Sequence, residues 1–276
     1  MTTKKALLTE EDIDTFKAQG ALELPQQDKG KRPLVWLSSS GHLHRLDGPA
    51  VITIQDMTLL YESWMRSGRL YRVNGPAIVT YHPNGRVAHK VWVHNDEPHR
   101  YDGPAILFYH QNGQCTEERW MHKGKCHRKK RPAIRRFDKT GLLVSEEWLC
   151  KDLHSRRGGP VIVTYYPCGK VRSEAYILNP GAGETQDVFY RLDGSIERRI
   201  WGKNNETHRE NGEPAIIDYD DNGRVLDGQW LRNGEPDPRI AAHHKALWKK
   251  KFVHSRPRPH TKGEIAQART ALSTEK

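Results

Sequence analysis

Seven of the eight tryptophans and one tyrosine fall on a single ruler: Trp36, Trp64, Trp92, Trp120, Trp148, Tyr176, Trp201 and Trp230. The first six are 28 residues apart, and the last two steps are 25 and 29 residues. A period of this size marks an array of small units, each too thin to bury its own apolar face and each resting on its neighbours. Few other features constrain the fold as tightly. A mean hydropathy of −0.84 is low for a compact domain and suits a thin array with much exposed surface.

A second ruler of prolines runs beside the first, at Pro49, Pro76, Pro104, Pro132, Pro160 and Pro214. Nine residues after all but the first comes a glycine (Gly85, Gly113, Gly141, Gly169, Gly223), and seven residues later the aromatic. Asn84-Gly85, Asn112-Gly113 and Asn222-Gly223 read as hairpin tips of type I′, which need positive φ at both central positions. Asp193-Gly194 reads the same way in the damaged sixth copy. The flanking stretches are rich in β-branched and aromatic residues, so they are expected as strands. Ile78, Ile106, Ile134, Ile162 and Ile216 mark their starts. Proline has no N–H for a ladder and belongs at a strand start, with the glycine before it permitting a sharp turn. The aromatic row Trp36, Trp64, Trp92, Trp120, Trp148, Tyr176, Trp201 and Trp230 is expected to be the buried spine. The alternative is a platform for stacking nucleic-acid bases.

The pattern frays in places. The first tip lacks its glycine around Gln55-Asp56-Met57 and is one residue short. Residues 179–187 replace the usual connection and read as a surface insertion. Residues 1–33 are expected to hold a short helix, opened by a capping box at Thr9 and stopped by Gly20, and a polar linker. Residues 34–238 are the array. Residues 239–276 form a basic tail with a helical start.

Charge is uneven. Of the net +11, residues 1–33 contribute zero and residues 239–276 contribute +8, which leaves +3 for the body. Cys115, Cys126, Cys150 and Cys168 occupy four different places in the repeat and form no C-x-x-C pair, so free thiols are expected rather than a metal site or a disulfide framework. No stretch is apolar enough for a membrane span, and the N-terminus lacks the apolar run of a secretory signal. The chain is therefore expected to work where it is made.

The repeat W-x-x-G-x-x-H-R-x-D-G-P-A-x-x-x-Y-x-x-N-G, best preserved from Trp92 to Gly113 and from Trp201 to Gly223, resembles MORN-type repeats. It is most similar to the variant with the H-R-x-D-G-P-A signature found in proteins of giant amoeba viruses and some phages. The resemblance covers about residues 36–234, roughly seven copies of 28 residues. It implies an all-β, elongated antiparallel array of β-hairpins with short helical flanks at both ends. It also implies a scaffold for protein association, in the cytoplasm or in a virion. Some bacterial relatives are labelled antitoxin-like, which implies an inhibitory binding protein as a further reading.

No catalytic residue, metal or cofactor is expected. The chain has no G-x-S-x-G elbow, no phosphate-binding G-x-x-x-x-G-K-[ST] and no H-E-x-x-H. His44, His99, His127 and His208 recur beside Arg45, Arg100, Arg128 and Arg209. They are expected to brace turns, the Arg paired with Asp47 or Asp102 and the His bonded to a carbonyl. The candidate contacts for an acidic partner are in the tail: Lys245, Trp248, Lys249, Lys250, Lys251, Arg256, Arg258 and Lys262. Nucleic acid, an anionic surface or an acidic protein would satisfy them.

Overall fold

A computed structural model describes residues 8–25, 30–210, 212–240 and 246–250. It shows an all-β array of antiparallel hairpins with short helices. Backbone contacts group the chain into two blocks: residues 1–142 with 150–152, and residues 143–149 with 153–276. No helix among the described residues is long and apolar enough to cross a membrane.

In the N-terminal block, helix α1 (Glu10–Ala18) precedes strands β1 (Leu22–Glu23), β2 (Lys31–Val35), β3 (Val51–Gln55), β4 (Thr58–Ser63) and β5 (Ile78–Tyr81). Strands β6 (Val87–Val91), β7 (Ile106–Tyr109), β8 (Cys115–Arg119) and β9 (Ile134–Phe137) follow. Each strand pairs antiparallel with the next in chain order. The expected linker therefore stops short of Lys31, because Lys31–Val35 is already in the sheet.

The C-terminal block repeats the scheme with β10 (Leu143–Glu147), β11 (Ile162–Tyr165), β12 (Val171–Asn179), β13 (Glu184–Tyr190), β14 (Ile196–Lys203), β15 (Ile216–Tyr219) and β16 (Val225–Gln229). These too pair in chain order. The insertion expected at 179–187 is mostly strand. β12 and β13 run on through it, and only Pro180–Ala182 and Gly183, at φ 66°, make the turn.

The tips differ from the type I′ expectation. Gly85, Gly113, Gly194 and Gly223 have positive φ, but the Asn or Asp before each does not. Gly85 N–H bonds to His82 C=O and His82 N–H to Arg86 C=O, both at 2.8 Å. This is a type I turn followed by one left-handed glycine, and the ladder slips by one residue just beyond it, between Thr80 and Tyr81. True I′ turns occur elsewhere. Asp56-Met57, with φ 49° and 58°, closes the first tip in two residues, which explains why that copy is short. The others close a small second hairpin just after six of the eight row aromatics: Ser67-Gly68, Asn95-Asp96, Lys123-Gly124, Lys151-Asp152, Asn204-Asn205 and Asn233-Gly234.

The most buried strand column is not the isoleucine row. It is the next residue, at Ile52, Val79, Val163 and Ile217, which are 3–8% exposed. The alanines after the prolines (Ala50, Ala77, Ala105, Ala133, Ala215) are 0% exposed. Their carbonyls take the tryptophan N–H groups at 2.8–2.9 Å, which ties each second hairpin to the main sheet. Tyrosines at the strand ends reach half-buried carboxylates: Tyr81 donates to Glu62 at 2.7 Å and Tyr165 to Glu146 at 2.8 Å. Burial raises Glu62 above the usual carboxylate range, and burial with the Glu146 bond pushes Tyr165 up to about 12.

Helices cap both blocks. In α1, Thr9 and Asp12 form the expected capping box, and Ile13 (0% exposed) packs with Leu34, Trp36 and Ile54. Phe16 meets Trp36 edge-on at 6.0 Å, and Trp36 Nε1–H donates to Gln19 C=O. At the other end, residues 246–250 are helical and Trp248 is buried against Trp230.

Candidate binding surface

The surface that varies most from copy to copy is the edge made by the second hairpins and the H-R-x-D-G-P connections. Each connection begins with an Arg that lies flat on the tryptophan of its own copy. Guanidinium carbons sit over the rings at 4.0 Å (Arg45–Trp36), 3.6 Å (Arg72–Trp64), 4.3 Å (Arg100–Trp92), 3.6 Å (Arg128–Trp120), 3.8 Å (Arg156–Trp148) and 3.7 Å (Arg209–Trp201). Such contacts contribute about 0.5–2 kcal/mol each. Trp36, Trp148 and Trp230 are buried; Trp64, Trp92, Trp120, Tyr176 and Trp201 are half-buried. Except at Tyr176 and Trp230, an arginine occupies the ring face, so the row offers no open platform to a base.

The glycine before the proline serves this stack. A Cβ at Gly48, Gly103 or Gly159 would lie 2.9–3.0 Å from the guanidinium of Arg45, Arg100 or Arg156. None of the three has positive φ. Positive φ is therefore not the reason for glycine at these three, where it leaves the Arg room; Arg128 still stacks on Trp120 at 3.6 Å with Arg131 in that place. The expected Arg–Asp pairs form at Arg45–Asp47 (3.0 Å) and Arg100–Asp102 (2.9 Å). Arg72, Arg128, Arg156 and Arg209 donate instead to the carbonyls of Pro76, Pro132, Pro160 and Pro214.

The histidines do something other than bond a carbonyl. His44 and His99 accept, at Nδ1, the backbone N–H of Ser67 and Lys123, both at 3.1 Å, while His208 Nδ1 lies 3.2 Å from the backbone N of Asn233 and 2.8 Å from its Oδ1. Each of those is the first residue of an I′ turn in the following copy. Where the second turn residue is Asp, the bond reverses: Asp96 and Asp152 accept the N–H of Leu70 and Cys126 in the preceding copy, both at 2.7 Å. Two different contacts thus lock five of the six turns to a neighbour, and Asn204 is held by the Gly183 carbonyl at 3.0 Å. At His44 and His99 the contact requires neutral imidazole, since a protonated Nδ1 cannot accept.

His99 is 5% exposed, and burial, then His122, His94 and Lys123, hold it below the ordinary histidine value of 6.5. A depressed histidine contributes stability that is fully present above the unfolded value and fades as pH falls toward the folded one. Unfolding free energy should therefore decline as pH drops below about 6.5, and His99→Gln should flatten that decline. Urea titrations above and below this pH test it. Equal pH dependence in the two proteins would reject the role.

Between the stacked Arg and the Asp, one side chain per copy points outward. Leu46, Val73 and Tyr101 are 75%, 74% and 81% exposed, and Lys129 follows in the next copy. The backbone leading into these connections holds contacts to the next copy: Gly68 N–H bonds Leu43 C=O, Arg45 N–H bonds Met65 C=O and Gly124 N–H bonds Pro98 C=O. In the C-terminal block a cleft of about 350 Å³ is lined by Trp201, Lys203, His208, Arg209, Glu210 and Glu213. Its charges are satisfied internally, Lys203 by Glu210 at 3.0 Å and Arg209 by Glu213.

The tail contacts expected from sequence divide. Trp248 is 9% exposed and belongs to the fold, and Lys249 pairs with Asp227 at 2.7 Å. Lys250 is exposed. Lys245, Lys251, Arg256, Arg258 and Lys262 lie outside the described residues. The four cysteines form no disulfide with one another; Cys150 and Cys168 are exposed and the other two half-buried. Compared with known proteins, the chain matches no family model and no curated relative.

Proposed function

We propose that the chain is a non-enzymatic scaffold that binds a partner protein along the connection edge. The supporting observation is the outward column Leu46, Val73 and Tyr101. Every position around it is committed to the fold: the Arg to a tryptophan ring, the Gly to the Arg, the Pro to a strand start. These three large side chains are 74–81% exposed, although the Tyr101 ring meets His99 edge-on at 4.4 Å, and they stand on consecutive copies. Two strands per copy set them about 10 Å apart. Regularly spaced apolar anchors on a rigid edge suit a partner with a complementary apolar strip. The repeat style favours a virus-encoded assembly component, with the tail's Lys250 and the lysines and arginines beyond it as a tether to an acidic surface.

The test is a triple variant, Leu46→Asp, Val73→Asp and Tyr101→Asp, used beside the parent as bait in extracts of the source. Partner capture should be lost while the thermal midpoint stays unchanged, because the three side chains are exposed. Undiminished capture of the same partner by the variant would reject the edge as the docking surface.

A further inference from the structure

The repeat supplies its own control for reading charge. In the connection and small hairpin of the Trp120 copy, residues 121–131 read MHKGKCHRKKR and contain no acid. The corresponding stretches after Trp36, Trp92, Trp148 and Trp201 each hold at least one: Asp47; Asp96, Glu97 and Asp102; Asp152; Glu206, Glu210 and Glu213. The stretch after Trp64, also without an acid, has three Arg where residues 121–131 have six Lys and Arg. Lys130 stands where Asp47 and Asp102 pair with the stacked Arg in other copies, and Arg131 stands in the glycine's place. Lys123, Lys125, Lys129, Lys130 and Arg131 are all exposed, and so is Lys151 on the next turn. That turn is held directly against Cys126 by two hydrogen bonds, at 2.7 and 3.0 Å.

Backbone conformation gives an independent sign. Lys123 and Lys151 have φ of 49° and 53°. The same turn position is Ser67, Asn95, Asn204 and Asn233 elsewhere, and asparagine tolerates left-handed backbone far better than lysine. The array thus carries two lysines in a conformation that disfavours them, which points to a use for their charge. Beside them runs a file of imidazoles. His122, exposed, lies 4.8 Å from His99 and 6.1 Å from His127, centroid to centroid.

We infer that this face binds single-stranded nucleic acid, with Lys123, Lys125, Lys129, Lys130, Arg131 and Lys151 contacting phosphates and the His122 ring meeting a base. Unpaired cations give sequence-independent attraction to a phosphodiester backbone, and flat rings among them give bases a surface to stack on. The site takes in Lys129 and adjoins Tyr101, whose ring meets His99 at 4.4 Å, but it does not depend on the protein partner proposed above.

The experiment is fluorescence anisotropy of a labelled oligothymidylate with the full chain. Lys123→Asn with Lys151→Asn installs a residue the array already uses at that position. It should weaken binding about tenfold at low salt and reduce the slope of log affinity against log salt by about 1 per lysine. The thermal midpoint should stay level or rise, so lost binding cannot be blamed on misfolding. Unchanged affinity overturns the inference, as does loss seen only when Lys250 and Lys251 in the tail are replaced by Glu. Heparin, which has charge but no bases, is the second arm. His122→Ala should weaken oligothymidylate and leave heparin unaffected; equal effects on both would overturn the assignment to nucleic acid.

Discussion

Replacing Trp248 with alanine should lower the stability of the folded chain by about 3 kcal/mol, the usual cost of removing a buried tryptophan. Its ring meets Trp230 edge-on at 5.3 Å and 84°, above Ile217, Tyr219 and Val225. Gly228 makes the room: a Cβ there would lie 2.9 Å from the Trp248 ring and 3.2 Å from Pro214. Two residues before the row aromatic, other copies place Glu62, Lys90, Glu118, Glu146 and Glu174. Gly228 is therefore the last copy's concession to its cap. Gly228→Glu should displace Trp248 and cost a similar amount, and the two losses should not add in the double variant. Urea denaturation of the four proteins decides the matter. A Trp248→Ala protein as stable as the parent would return the residue to the tail's binding surface.

Ile13→Ala should cost about 3 kcal/mol as well, from the opposite end. Ile13 is 0% exposed and touches side chains of α1's surroundings that are themselves fully buried, Leu34 and Ile54. The helix has other attachments: Arg32 bonds Glu10 at 3.0 Å and Glu23 at 2.8 Å, and Arg32, with Lys17, holds Glu23 down at about 2. Those ion pairs are solvent-exposed and contribute little. The apolar contact decides whether the cap stays closed. With it weakened, the strand edge beneath loses its cover, and edge-to-edge association follows. Concentration-dependent light scattering of the variant, absent from the parent, is the expected companion result; a monodisperse variant of parental stability would contradict the account.

The aromatic, proline and glycine rulers carried the architecture. They located the main hairpins and the strand starts, because each depends on local chemistry that a single copy displays, and the capping box at Thr9 separately located the helix at Glu10–Ala18. What they hid depended on contacts between copies. Asn84-Gly85 looked like a two-residue tip, yet the three-residue turn with one left-handed glycine fits the slipped register at Tyr81. The I′ turns fell on pairs as unlike as Asp56-Met57 and Lys151-Asp152, which carry no dipeptide signature. Gly103 was read for its backbone freedom, whereas its reason is the guanidinium of Arg100 lying against it. The binding edge was legible only in part. Arg45–Asp47 and Arg100–Asp102 were visible as a motif, but the direction of the histidine bonds was not. Nor was the basic face of the Trp120 copy, because summing charge over residues 34–238 averaged it away. Comparing copies position by position would have exposed it.

The two contacts that fasten five of the six small turns to the copy before them impose a rule of succession. A copy whose turn ends in Asp brings its own fastening and can follow a tyrosine, as Asp96 follows Tyr71, or a histidine, as Asp152 follows His127. A copy whose turn ends in Gly, as at Gly68, Gly124 and Gly234, needs a histidine waiting behind it, and His44, His99 and His208 stand in those places. Copies that look interchangeable in outline are therefore directional pieces. Duplication or exchange of segments would be tolerated in some orders and penalised in others.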